Sequence, residues 1–332
     1  MHRLTYGDIE SAGRRIAGRV RPVALAPAGP DAAGPSEWPC GLWLALEFMQ
    51  HTGSFKARGA LNFLQAHLDA GTLPDAGVTI ASGGNAGLAC AWAARRQGVR
   101  ATVFLPANAP AVKVARLRGY GAEVRLVGDE YAEAASACAE FAATTGALAS
   151  HAYDHPLIAA GAGTLLDEIH RRIPDLDTVV VAVGGGGLFA GVATAAREHG
   201  IRTVSVEPEH SRALAAALAA GHPVDVPIDS VAADSLGARR ASALALQAAQ
   251  EGDVHSVLVP DSEIVRARQA LWDERRIAVE HGGATALAAL VALTAGGSDS
   301  ARYGYRPREG EKVCVILCGA NTDPATLAGP AS

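Results

Sequence analysis

Apolar positions along the chain follow two alternating rhythms. Short aliphatic and β-branched runs at residues 42–47, 78–81, 101–106, 123–127, 178–183, 203–206, 255–259 and 312–317 read as strands. The run Thr178-Val179-Val180-Val181-Ala182-Val183 is continuously apolar, as a parallel strand buried on both faces requires. Between these runs lie Ala-rich stretches with a helical spacing of apolar residues, at 4–19, 55–69, 88–96, 113–118, 131–145, 161–172, 188–199, 211–220, 236–251, 261–275 and 284–294. Residues 29–39, rich in Pro, Gly and Ala, read as a turn or loop. Strand and helix alternating over short connections predict an α/β fold built on parallel sheets. The alternation over residues 77–148 is self-contained, which predicts a small domain there and a larger one from 1–76 with 149–332.

Two of the strand–helix junctions are glycine turns. Residues 184–187 are four consecutive glycines between a strand and a helix of small residues, and Ser82-Gly83-Gly84-Asn85-Ala86-Gly87 stands at a second junction. Such turns aim backbone N–H groups at an anion. The purely structural reading is a tight connection for the first and helix capping by Ser82 or Asn85 for the second. A third junction carries Lys56 in the first turn of the helix over 55–69, with Ser54 as the expected cap, where the helix dipole helps to depress an amine pKa.

Composition sharpens the view of that lysine. Lys56, Lys113 and Lys312 are the only lysines among 29 basic residues. Arginine carries surface charge equally well but cannot be deprotonated, whereas an amine can condense with an aldehyde. The plain alternative is a lysine snorkelling from an amphipathic helix. A net charge of −5 and a pI near 6.1 give no reason to expect nucleic acid or an anionic membrane as partner. The five scattered cysteines lack metal-ligand or disulfide spacing, no apolar run is long enough to span a membrane, and residues 1–30 lack the core of a signal peptide. A cytoplasmic protein without a metal is expected.

The four-glycine turn admits two ligands. Gly185, Gly187 and Gly191 leave one residue too many for G-x-G-x-x-G, yet Glu207 lies about 20 residues beyond Gly187, where a nicotinamide ribose would need an acid. The other ligand is a phosphate monoester such as pyridoxal phosphate. A dehydrogenase has no use for Lys56 or for the second glycine turn. An aldehyde cofactor needs an amine, a phosphate cradle, a polar group at its phenolic oxygen and a partner for its ring nitrogen. Lys56, residues 184–187, Asn85 and Cys318 supply those four, each at the carboxyl end of a predicted strand, where ligands of open α/β sheets gather.

Taken together, Thr52-Gly53-Ser54-Phe55-Lys56-Ala57-Arg58-Gly59-Ala60, Ser82-Gly83-Gly84-Asn85, Tyr120-Gly121-Ala122-Glu123-Val124, Gly161-Ala162-Gly163-Thr164, Val183 to Leu188, Val206-Glu207-Pro208-Glu209, Val279-Glu280 and Leu317-Cys318-Gly319-Ala320-Asn321 resemble, in order and spacing, the fold-type II pyridoxal-phosphate enzymes of the threonine/serine dehydratase group, which includes serine racemase and threonine synthase. The resemblance covers roughly residues 20–325. It implies two three-layer, parallel-sheet domains of the tryptophan synthase β-like type, with the small one closing over the substrate, and a homodimer. It further implies that Lys56 forms the Schiff base with the cofactor and that Phe55 packs against it. Asn85 bonds the ring hydroxyl, Gly184, Gly185, Gly186, Gly187 and Leu188 wrap the phosphate, and Cys318 meets the pyridine nitrogen. Ser82, Gly83, Gly84 and Asn85 receive the substrate carboxylate. The alternatives are a small buried apolar role for Cys318 and strand-end acids or local caps for Glu207 and Glu280.

The expected reaction is β-elimination from L-threonine or L-serine to a 2-oxo acid and ammonia, with Lys56 removing the α-proton. Cys318, a weak neutral donor, leaves the ring a poorer electron sink than a carboxylate would, which favours elimination. Some positions depart from the family. Gly83 stands where racemases carry a second serine, which makes racemisation doubtful. Ala162 replaces a common Gln, His281 a common Pro, and Ala213 the acidic cation ligand of the racemase type. The chain ends at Ser332, so feedback control by isoleucine through an added domain is not expected. Another fold-type II activity, racemase or threonine synthase-like, is the nearer alternative. A nicotinamide dehydrogenase and a non-catalytic amino-acid-binding protein are the distant ones.

Overall fold

The computed structural model describes residues 3–28, 40–291 and 304–327. The loop expected at 29–39 and the last residues of the helix expected at 284–294 lie outside them. The strands among the described residues are β1 (Leu25–Pro27), β2 (Gly41–Ala45), β3 (Val78–Ala81), β4 (Ala101–Leu105), β5 (Glu123–Leu126), β6 (Leu148–Ala149), β7 (Thr178–Ala182), β8 (Arg202–Pro208), β9 (Val254–Val259) and β10 (Lys312–Ile316). The helices are α1 (Tyr6–Ile16), α2 (Lys56–Asp69), α3 (Asn85–Arg96), α4 (Ala111–Gly119), α5 (Tyr131–Thr145), α6 (Pro156–Arg172), α7 (Gly187–Glu198), α8 (Ala213–Ala220), α9 (Ala233–Leu236), α10 (Ala243–Glu251), α11 (Asp261–Arg275) and α12 (His281–Val291).

Two sheets organise them. The larger has six strands in the order β1-β2-β10-β7-β8-β9, and the smaller has four in the order β5-β4-β3-β6. All pairings are parallel except β1 with β2, so the larger sheet is mixed at one edge. Each sheet lies between helices. On one face of the larger sheet, Val179 and Val181 pack with residues of α1, α6, α7, α8 and α10; on the other, Val180 and Ala182 meet α11 and α12. In the smaller sheet, Val78, Ile80 and Val103 face α2, α3 and α4, and Phe104 faces α5. The small residues of α6 and α7 serve close packing: a Cβ on Gly191 would stand 2.2 Å from the Ala159 carbonyl oxygen.

Local chemistry sets the element ends, twice against expectation. Ser54 does not cap α2. It is held extended by a bridge to Gly319, Phe55 takes the cap position without a side-chain bond, and the Ser54 hydroxyl is buried with no partner. The helix expected over 236–251 forms only from Ala243, because α9 stops at Leu236 before Gly237 and the chain restarts only where the Ser242 hydroxyl accepts the Ala245 N–H.

Candidate active site

The carboxyl ends of β2, β10 and β7 open onto one cleft, and the α3 end of the smaller sheet faces it. Along its wall lie Phe55, Lys56, Asn85, Tyr153, residues 184–187, Leu188, Glu280 and Cys318. Ser82, Gly83 and Gly84 are not part of that wall; they lead into it from the small-sheet side, directly before Asn85.

Lys56 is delivered by a strained turn. Thr52 is buried and has φ +64°, a left-handed conformation that costs a non-glycine residue about 1–2 kcal/mol. Its carbonyl accepts a bond from Asn321 Nδ2 at 2.8 Å. Phe55 N–H donates to the Cys318 carbonyl at 3.0 Å, which ties the start of α2 to the chain leaving β10. Lys56 Nζ donates to the Ala152 carbonyl at 2.7 Å and sits 4.9 Å from the centre of the Phe55 ring. Burial lowers its pKa to about 8, although Cys318 and Glu280 pull the other way. Loss of water, rather than the helix dipole invoked from sequence, is the main cause.

The four glycines follow β7 and are all buried. A Cβ on Gly184 would stand 2.9 Å from Leu236 Cα, one on Gly185 would stand 2.4 Å from the Tyr153 ring, and one on Gly186 would stand 2.3 Å from Ala245 Cβ. Gly186 itself has φ +90°. Only glycine fits this turn, which leads into the N-terminus of α7.

Asn85 is not a helix cap. Its Nδ2 donates to Glu280 Oε1 at 2.8 Å, and its Oδ1 accepts from Asn321 Nδ2 at 2.5 Å. Burial raises the Glu280 carboxyl against the bonds from Asn85 and the Asn321 N–H. Ser82 does make a local turn, its hydroxyl accepting the Gly84 N–H at 3.3 Å, and no side chain caps α3. Cys318 Sγ–H points to the Gly282 carbonyl at 3.6 Å, and burial pushes the thiol up to about 12, so it is neutral. Glu207 is a buried cap: its two oxygens accept the Leu214 and Ala215 N–H groups at 2.7 and 2.8 Å, and burial lifts its pKa to about 7. No His, Cys, Asp or Glu group among the described residues is arranged to hold a metal.

The structure adds Ala152 and Tyr153, which sequence reasoning passed over. They precede α6, where the His155 side chain accepts the Leu157 N–H, and the only available signal was an aromatic residue in the polar run before Pro156. Tyr153 lies over the glycine turn and donates from its hydroxyl to the Arg240 carbonyl at 3.2 Å.

A buried glycine cradle, a depressed amine, a neutral thiol and a carboxamide fixed between two partners form a donor set that fits pyridoxal phosphate. Comparison with known proteins agrees. The family model "pyridoxal-phosphate dependent enzyme" matches residues 29–319. The chain is 35% identical over 327 residues to an L-threonine ammonia-lyase of Geobacter sulfurreducens, covering 98% of this chain and 77% of that one. It is 38% identical over 285 residues to the human serine dehydratase-like protein, covering 84% and 85%. Among solved structures, maize serine racemase superposes with a TM-score of 0.85 at 28% identity, covering 98% of this chain and 96% of that one. The chain belongs to the family of pyridoxal-phosphate-dependent enzymes.

Proposed function

We propose that this protein is a threonine/serine ammonia-lyase, which converts a 3-hydroxy amino acid to a 2-oxo acid and ammonia. The observation that carries the reading is the Lys56 amine, dehydrated to a pKa of about 8 and held beside a neutral Cys318 thiol in a cleft closed by four glycines. Curated relatives named for this activity support it.

Bound pyridoxal phosphate supplies the electron sink that makes a substrate α-proton removable and a β-hydroxyl able to leave. Lys56 would hold the cofactor through its amine, and that amine, when free, would accept the α-proton at Nζ. Residues 184–187 and Leu188 present backbone N–H groups to the phosphate, aided by the N-terminus of α7. Asn85 would bond the ring hydroxyl, its carboxamide orientation set by Asn321 and Glu280. The neutral Cys318 thiol would stand by the ring nitrogen without supplying a full charge. Ser82, Gly83, Gly84 and Asn85 take the substrate carboxylate at the uncapped start of α3. In this reading residues 77–148 close over the substrate, and the enzyme acts as a cytoplasmic homodimer. Gly83 offers no side-chain acid, and Leu105 Cδ2 stands 2.3 Å from where its Cβ would be, which argues against racemisation.

A panel of hydroxy amino acids assayed for ammonia and oxo acid tests the reading, together with borohydride reduction and peptide mapping. Turnover of threonine or serine and a label on Lys56 are expected. Selectivity between those two rests on one methyl group, worth about 1–3 kcal/mol. Bound but unturned amino acid, or a label elsewhere, overturns it.

A further inference from the structure

Two residues beyond Lys56, Arg58 turns away from the cleft and is fully buried. Its guanidinium is saturated. Nε and Nη2 donate to the two oxygens of Glu47 at 2.7 and 3.1 Å, Nη1 and Nη2 donate to the two oxygens of Glu168 at 2.7 and 3.1 Å, and Nη1 also reaches Thr164 Oγ1 at 3.2 Å. Glu47 follows β2 and Glu168 stands on α6, so one side chain joins α2 to both. The contact is tight in the backbone as well: a Cβ on Gly59 would stand 2.6 Å from the Ile158 carbonyl oxygen, and one on Gly161 would stand 2.7 Å from the Arg58 carbonyl oxygen.

The triad carries two acids for one base. Burial raises Glu47 beyond what Arg58 recovers; burial raises Glu168 too, but the bonds from Arg58 and the Val23 N–H outweigh it and hold that carboxyl below its usual range. Replacing a buried ion network with apolar groups often leaves a protein as stable or more so, which makes a network like this a poor device for stability and a good one for fixing a single geometry.

We propose that Arg58, clamped by Glu47 and Glu168, is the positioning residue for Lys56, setting the rotation and depth of the first turn of α2 so that the amine stays dehydrated inside the cleft. The inference rests on Lys56 being the cofactor-bearing amine, and its test separates the two ideas. In cofactor-free protein, reductive methylation across a pH series, read by peptide mass spectrometry, reports each of the three lysines on its own peptide. Wild-type Lys56 is expected to titrate at about 8. In the apolar triple variant Arg58→Met, Glu47→Leu, Glu168→Leu, melting temperature should hold while the Lys56 titration moves up toward 10.5. Its kcat should fall roughly tenfold or more with KM within about threefold. A folded triple variant that keeps both the wild-type titration and kcat overturns the proposal. Should that variant not fold, Glu168→Gln carries the same test: a smaller upward shift with a smaller loss of kcat supports the clamp, and no change in either overturns it. Borohydride labelling of the wild-type holoenzyme at a residue other than Lys56 defeats the parent reading instead.

Discussion

The two glycine turns begin alike, each following a parallel strand and opening a helix, and they end differently. Residues 184–187 are buried and walled in by Leu236, Tyr153 and Ala245, so the turn can have one shape. The turn from Ser82 to Gly84 is part-exposed, and the nearest neighbour to a Cβ on Gly84 is the Asp234 carbonyl at 4.0 Å. The first suits a group that stays and the second a molecule that arrives and leaves. Buried walls select permanence, and open amides select traffic.

The contrast is broken most severely at Gly185. Gly185→Ala drives a methyl into the Tyr153 ring, an overpacking cost of about 1–3 kcal/mol, equivalent to up to roughly 10²-fold in cofactor affinity. Titration of the visible band measures it, and adding Tyr153→Ala should restore most of the loss. Asn85→Ala comes next. It strips Glu280 of one donor and takes from Asn321 Nδ2 one of its two acceptors, the Thr52 carbonyl remaining, at about 1–3 kcal/mol, and should depress kcat while the protein still takes up cofactor. A third outcome concerns pH. On the proposed attachment through Lys56, which needs its amine neutral, the rate of cofactor capture by cofactor-free protein should rise with pH through about 8 and level off above it, whereas residues 82–87 contain no titrating side chain and should add no step to substrate KM. Stopped-flow absorbance separates the two. Gly84→Ala should do least, within about twofold in cofactor affinity, since a methyl there meets the Asp234 carbonyl only at ordinary contact distance. An effect as large as that of Gly185→Ala would erase the distinction.

Much of this architecture was legible because the apolar periods were long and cleanly punctuated. Helices α5 and α11 run over the residues expected, and β7 was marked by an apolar run ending at glycine. The three-residue β1 and two-residue β6 were missed, being too short to show a period, and β1 adds the one antiparallel pairing. Ser54 has the composition of a cap but is committed to a bridge with Gly319, a residue 265 positions later that local spacing cannot foresee. The same holds in the site. Lys56, Asn85, Cys318 and the glycine cradle do line one cleft, because Cys318 and the glycines follow directly on β10 and β7 while Lys56 and Asn85 open the helices that come after β2 and β3. Tyr153 and Ala152 approach from a loop whose sequence carries no chemistry of its own.

Strand β10 is the last among the described residues yet sits between β2 and β7 near the middle of the larger sheet. A ribosome working from the N-terminus must therefore release almost everything else before that slot is filled. Until then Cys318 is missing and the carbonyl that anchors Phe55 has not arrived. The smaller sheet, made wholly of residues 78–149, has no such wait. Coenzyme capture thus waits for residues 312–318, and a nascent chain stalled before residue 312 should emerge without the vitamin B6 chromophore.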